Sequence, residues 1–178
     1  LFFSSGINLV RSRTNILLLG FFVSTADIGN FQVALSTATL ASVILIAINS
    51  IIAPQFTSLH TNGDKKKLQR LTVLSARLVF VLSVLVTAIF VIFGKNLLTF
   101  VFGEKLITAY PALVILLIGQ VINAFVGSVN ILLNMTGYEN EVMKIMVVTS
   151  IVNIILTLAL APLVGMVAGA IAISASMT

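Results

Sequence analysis

One polar stretch, Asn49 to Arg77 (NSIIAPQFTSLHTNGDKKKLQRLTVLSAR), interrupts a sequence that is otherwise a succession of long apolar runs. An apolar run ends at Pro54, a basic cluster follows (Lys65, Lys66, Lys67, Arg70), and a new run begins at Leu71. Charged residues are only 8% of the 178 and hydrophobic ones 59%, with a mean hydropathy of +1.19. A soluble domain carries roughly 25% charged residues, so this chain lacks the polar surface to cover a soluble globule. Its solvent must largely be lipid, and the basic stretch becomes a topological marker, because Lys and Arg beside a span mark the cytoplasmic side.

The net charge of +5 sits mostly in that one stretch. It lacks the broad basic face of a nucleic-acid module, so no nucleic-acid partner is expected. With no cysteine, disulfides and thiolate sites are excluded. The sequence opens and closes inside apolar runs, which leads us to expect part of a longer membrane protein.

Taken in order, the chain reads as about six hydrophobic segments, each near the roughly 20 residues of a bilayer crossing. They are Phe2 to Ser24, Ile28 to Pro54, Leu71 to Phe93, Ala109 to Met135, Val142 to Ala161 (ended at Pro162), and a last one starting at Leu163. The second is long enough to tilt, or to kink near its proline. Between the third and fourth, Leu97, Leu98, Val101 and Phe102 among charged neighbours suggest a short interfacial helix. Continuous runs without alternation predict helices rather than a barrel. The fold class is therefore all-α, a polytopic bundle of transmembrane helices. Alternation from the basic stretch places loops 55–70 and 137–141 in the cytoplasm, and Asp27 and the segment 94–110 outside.

Polar residues inside spans are the candidate functional groups. On the fourth span Gln120, Asn123, Gly127, Asn130 and Asn134 recur every three or four residues, one stripe at roughly 100° per residue. Amides facing lipid would be left unsatisfied, so they either bond neighbouring helices or line a wet cavity; the length of the stripe favours the cavity. Gln32, Ser36, Thr39, Ser42 and Asn49 repeat the idea on the second span, as do Thr149, Asn153 and Thr157 more weakly on the fifth. The first span carries Arg11 and Arg13, with Ser4, Asn8, Arg11 and Asn15 sharing a face. A buried guanidinium is costly unless paired or hydrated, so Arg11 is the leading candidate; the competing reading is an arginine snorkelling to headgroups. No acidic residue lies in any expected span: Asp27, Asp64, Glu104, Glu139 and Glu141 map to loops or ends. A cavity of arginine and amides suits an anionic ligand, and guanidinium binds pyrophosphate well.

Four stretches carry a family resemblance: ILLLGFFVSTADIGNFQVA, NSIIAPQFTSLHTNGDKKKLQRL, FGKNLLTFVFGEKLITAYPALVILLIG and ILLNMTGYEN, in order from Leu17 to Glu141. Together they resemble the polysaccharide flippases of the multidrug/oligosaccharidyl-lipid/polysaccharide exporter superfamily, the O-antigen and teichuronic-acid type. The resemblance implies a two-lobe transporter, residues 1–178 being the C-terminal lobe, whose missing N-terminal lobe would complete the cavity. It implies a bacterial or archaeal cell-membrane protein that moves an undecaprenyl-pyrophosphate-linked oligosaccharide to the outer leaflet for cell-surface polysaccharide such as the O-antigen of lipopolysaccharide. The headgroup would meet Arg11, Asn8, Asn15, Gln120, Asn123, Asn130 and Asn49, without bond chemistry or a cofactor. Where the family often carries an acid this chain has Asn15, a departure that bears on ion coupling.

Two other classes stay open. A multidrug or cation exporter of the same superfamily would need a carboxylate in its cavity, and a membrane-embedded transferase acting on lipid-linked sugars would need a catalytic acid or base. The one histidine, His60, lies among Thr57, Ser58 and Thr61 in the expected cytoplasmic loop and reads as solvated. Gly165-x-x-x-Gly169 reads as close helix packing.

Overall fold

The computed structural model describes residues 14–177. A short helical segment α1 (14–19) leads to α2 (Thr25–Thr61), α3 (Lys65–Phe102), a 3-10 helix (Glu104–Ala109), α4 (Tyr110–Met135), α5 (Glu139–Val164) and α6 (Val167–Ser176), with no strand among the described residues. In apolar surroundings the helix satisfies every backbone group within its own segment, so long apolar runs have little alternative. The helix boundaries are chemically marked. Ser24 caps α2: its hydroxyl accepts from the Asp27 N–H at 3.2 Å and donates to the Asp27 carboxylate at 2.8 Å, a cap that contributes about 1 kcal/mol. At the opposite end, α2 and α4 close the same way. Gly63 and Gly137 take φ of 69° and 87°, so that Asp64 N–H reaches Leu59 O and Tyr138 N–H reaches Leu133 O, each at 3.0 Å. Only glycine enters this left-handed region cheaply, and the turn satisfies carbonyls that the helix end would orphan.

The structure revises several expected boundaries. The loop expected at 55–70 shrinks to Asn62–Asp64, because α2 runs through Pro54 to Thr61 and the basic cluster forms the first turns of α3. The turn expected at 137–141 likewise shrinks to 136–138, since α5 starts at Glu139. Leu97, Leu98, Val101 and Phe102 belong to α3, which continues to Phe102, and the short separate helix of that stretch is the 3-10 turn Glu104–Ala109. At 37 and 38 residues, α2 and α3 are about 55 Å long, well beyond the ~30 Å hydrocarbon core, so their hairpin projects past it. The bend in α2, 44° between Thr25–Val43 and Ile46–Thr61, lies upstream of Pro54. It follows the turn in which Thr39 and Ser42 hydroxyls donate to Ser36 O and Thr39 O, each at 2.6 Å, side-chain bonds that bend helices. α5 passes Pro162 and stops at Gly165, where φ is 58°. Among the described residues three helices are long and apolar enough to cross a membrane, and the bent α2 makes a fourth. The expected first span falls largely outside the described residues, and the sixth is the ten-residue α6.

α4 is the centre, packed on α2, α3, α5 and α6. Of its most apolar stretch 44% is buried within the bundle, against 6% for α3, which leaves α3 at the periphery of the described residues. Alanine and glycine let the backbones approach: Ala34, Ala38 and Ala41 of α2, Ala112 of α4 and Ala168 and Ala170 of α6 join Phe31, Leu113, Leu116 and Leu117 in the core, the expected economy where lipid gives helices no hydrophobic reason to associate. Gly169 lies against Leu19 and Phe31, whereas Gly165 ends α5, so only one glycine of that pair serves packing. At the end holding Ser24, Asn30 Nδ2 donates to Thr108 Oγ1 at 2.9 Å, Tyr110 Oη donates to Val91 O at 2.8 Å, and Lys95 Nζ lies 5.2 Å from the Tyr110 ring centre. These contacts fix the ends of α2, α3 and α4 together. The described residues thus form an all-α, multi-pass membrane bundle.

Candidate functional site

Two kinds of polar group occur inside the bundle. The first is fully enclosed. Asn15 of α1 is 0% exposed, and Thr157 Oγ1 of α5 lies 2.8 Å from both its Oδ1 and the carbonyl of Asn153. The single hydroxyl proton is shared between these acceptors. Asn153 Nδ2 then donates to Ser176 Oγ of α6 at 3.3 Å, and that hydroxyl donates to Ile173 O at 2.8 Å. This chain of side chains ties α1, α5 and α6 together, its Asn15–Thr157 link joining residues 142 apart in sequence, so Thr157 and Asn153 serve as interhelical bonds. Two atoms are left over: Asn15 Nδ2 and Gln120 Oε1 are buried without a hydrogen-bond partner among the described residues. An unmet buried donor or acceptor costs about 1–3 kcal/mol, so each is a place where water or a ligand group gains from binding.

The second kind is half-open. Asn49 of α2 and Asn123, Asn130 and Asn134 of α4 are half-buried, and no side-chain hydrogen bond joins any of them to a described residue. Ala124 packs with Val79 of α3 and Ile48 of α2, and Phe125 meets Phe80 edge-on at 5.9 Å between ring centres. Asn49 and Asn123 therefore belong to one layer of the bundle, each next to a residue of that cluster. Gln32, Ser36 and Thr39 of α2 are exposed, and the latter two lie in the turns before the bend at residues 43–46. Arg11 and Asn8, with Arg13 and Ser4, lie outside the described residues.

A third feature escaped the sequence reading. Lys66, Gln69, Arg70, Val73, Leu74 and Arg77 line an open groove of about 470 Å³ along α3. Arg77 follows Arg70 by seven residues and Lys66 by eleven, both helical repeats. That spacing would have linked the three had the basic stretch been read as helix instead of loop. Nearby, Lys67 Nζ meets the Asp64 carboxylate at 2.7 Å. This bond holds the Asp64 carboxyl below its usual range, partly offset by desolvation.

Comparison with known proteins supplies the family. A family model described as "Polysaccharide biosynthesis protein" matches residues 1–111. The "Probable flippase AglR" of Haloferax volcanii is 28% identical over 170 residues, covering 94% of this chain and 36% of that protein. The chain thus spans about a third of that relative's length. No solved structure gives a significant match. A match over residues 1–111 of 178, with the helical membrane architecture around it, shows that this chain belongs to the polysaccharide biosynthesis protein family.

Proposed function

We propose that the chain is the C-terminal lobe of a flippase that carries a lipid-linked oligosaccharide, of the undecaprenyl-pyrophosphate type, across the cell membrane for O-antigen-like surface polysaccharide. Similarity to a flippase along 94% of the chain carries this reading. The physical task is to take a hydrated, charged headgroup through hydrocarbon while the polyprenyl tail stays in lipid. Groups that replace hydration are needed, and bond-breaking chemistry is not. Asn49, Asn123 and Asn130 fit that role as half-open amides, and Asn15 and Gln120 each keep one unused hydrogen-bonding atom. Arg11 and Asn8 are proposed to meet the phosphates from the same face of the first span. A second, N-terminal lobe would close the cavity, and rocking of the lobes would open it to each side in turn. The end of α3 bearing Lys65, Lys66 and Arg70 faces the cytoplasm in this reading.

The function is tested by depletion in the source organism. Lipid-linked oligosaccharide should accumulate in the cytoplasmic leaflet, shielded from a lectin added outside, and re-expression of the full chain should restore its exposure. An unchanged distribution on depletion would overturn the reading.

The cavity and its orientation share one test, since these residues contain no cysteine. Single cysteines at Asn123 and Asn130 should react with small hydrophilic thiol reagents, while Ile122 stays protected. Cysteines at Lys66 and Asn140 should be labelled from the cytoplasm alone, and one at Asp27 from outside. Protection at both asparagines would make them interhelical bonds instead, and outside labelling at Lys66 would invert the topology.

A further inference from the structure

We propose that the α3 groove is a binding site for an anionic glycerophospholipid, its phosphate held by Lys66, Arg70 and Arg77 and one of its chains laid along the apolar continuation of the same helix face. The charge balance at this end of the bundle points there. Lys67 is paired with Asp64, and Lys144 with Glu141, each at 2.7 Å. Lys66, Arg70 and Arg77 are exposed and form no ion pair with a described carboxylate. The groove they line contains no acidic residue.

Three cations left over on one face differ from a diffuse basic end. At roughly 100° per residue, Lys66, Arg70, Val73, Arg77, Val81 and Val84 fall within a sector of about 80°. Along the axis Lys66 and Arg77 are separated by ~16 Å, so the cations reach from the headgroup level toward the hydrocarbon. There Val81 and Val84, 63% and 42% exposed, continue the face as a purely apolar strip. A free phosphate would use only the charged part of this surface. A phosphate joined to a hydrocarbon chain uses both.

A second hollow strengthens the match. Lys65, Leu68, Gln69, Thr72 and Val73 of α3 face Leu132 of α4 across about 240 Å³. It shares Gln69 and Val73 with the basic groove, so a charged recess and a mostly apolar one adjoin on the helix. That pairing suits a two-chain amphiphile, and the bidentate reach of Arg70 and Arg77 suits its phosphodiester.

The test uses the full chain, purified in detergent, stripped of lipid and examined by native mass spectrometry with phosphatidylglycerol or phosphatidylcholine added. Phosphatidylglycerol should be retained at least tenfold better. Arg70→Gln with Arg77→Gln should remove that preference, since both side chains are exposed and leave the packing untouched. Lys144→Gln, which lowers the net charge at the same end, should keep it. Equal retention of the two lipids, or the same loss in Lys144→Gln, would reduce the groove to general surface charge. Displacement by millimolar inorganic phosphate would make it a soluble-anion site and overturn the lipid assignment. None of these readouts depends on transport, so the result stands apart from the flippase proposal.

Discussion

Replacing Gly119 with leucine will prevent α6 from seating on α4 and will remove the monodisperse, folded protein from detergent extracts. A Cβ added at Gly119 would lie 2.5 Å from Ser174 Oγ, 2.7 Å from its Cβ and 2.8 Å from its Cα. The first clash could be relieved by a rotamer change, but the last is with backbone and requires α6 to move. The Ser174 hydroxyl also donates to Ile115 O at 2.9 Å, one turn earlier on α4, so the contact and the hydrogen bond would be lost together. Gly119→Ala, the mildest version, overpacks the interface by about 1–3 kcal/mol and should lower the thermal midpoint by roughly 5 °C. Gly29→Ala is the matched control: a Cβ there meets nothing within 4 Å, and relief of glycine's entropy cost predicts a neutral or slightly stabilising change. Size-exclusion profiles and thermal unfolding of the full chain decide the matter. A Gly119→Leu protein as stable as Gly29→Ala would refute the α4–α6 contact.

The largest expected effect on transport is at Arg11. The helical spacing expected from the sequence would put it on one face with Ser4, Asn8 and Asn15, and no acid occupies the expected spans to neutralise it. An unpaired guanidinium is costly to keep dry, so water or a phosphate should meet it. We expect Arg11→Ala to abolish complementation of a flippase-deficient strain while membrane levels stay normal. Arg11→Lys keeps the charge but loses the planar fork, and should retain part of the activity. Arg13→Ala should be milder, because the expected helical spacing would put that position off the stripe. Full transport by Arg11→Ala at normal expression would reduce Arg11 to a residue anchoring the helix end in the headgroups.

The fourth span shows how much of the fold the sequence states openly. It was expected from Ala109 to Met135 and forms from Tyr110 to Met135, because Pro111 favours a first helical turn and Gly137 permits the closing one. The stretch after Pro54 misled for a physical reason. Thr57, Ser58, His60 and the lysines are polar enough for a loop, yet polarity records where the hydrocarbon ends and says nothing about where the helix ends. In water a polar helix remains good structure, so α2 and α3 simply continue. The same misreading hid Arg77 from its partners.

The polar spans were legible as polar but not as partnered. Asn15 and Thr157 meet only because α1 and α5 pack together, a relation that periodicity within one helix cannot state. Asn153 and Thr157, four residues apart, joined helices, while Asn123 and Asn130, seven apart and equally polar in an apolar span, stayed half-open.

The bend in α2 turns that helix into a lever. Its first arm is clamped in the core by Phe31, Ala34, Ala38 and Ala41, while in the second arm, 46–61, Phe56 is the one buried side chain. That outer arm is about 24 Å long, so each 10° of flexing at residues 43–46 sweeps its tip through about 4 Å. The sweep carries the first turns of α3 with it through the tight turn at Gly63. A small angular change deep in the bundle is thereby amplified into a displacement of the basic groove at the rim.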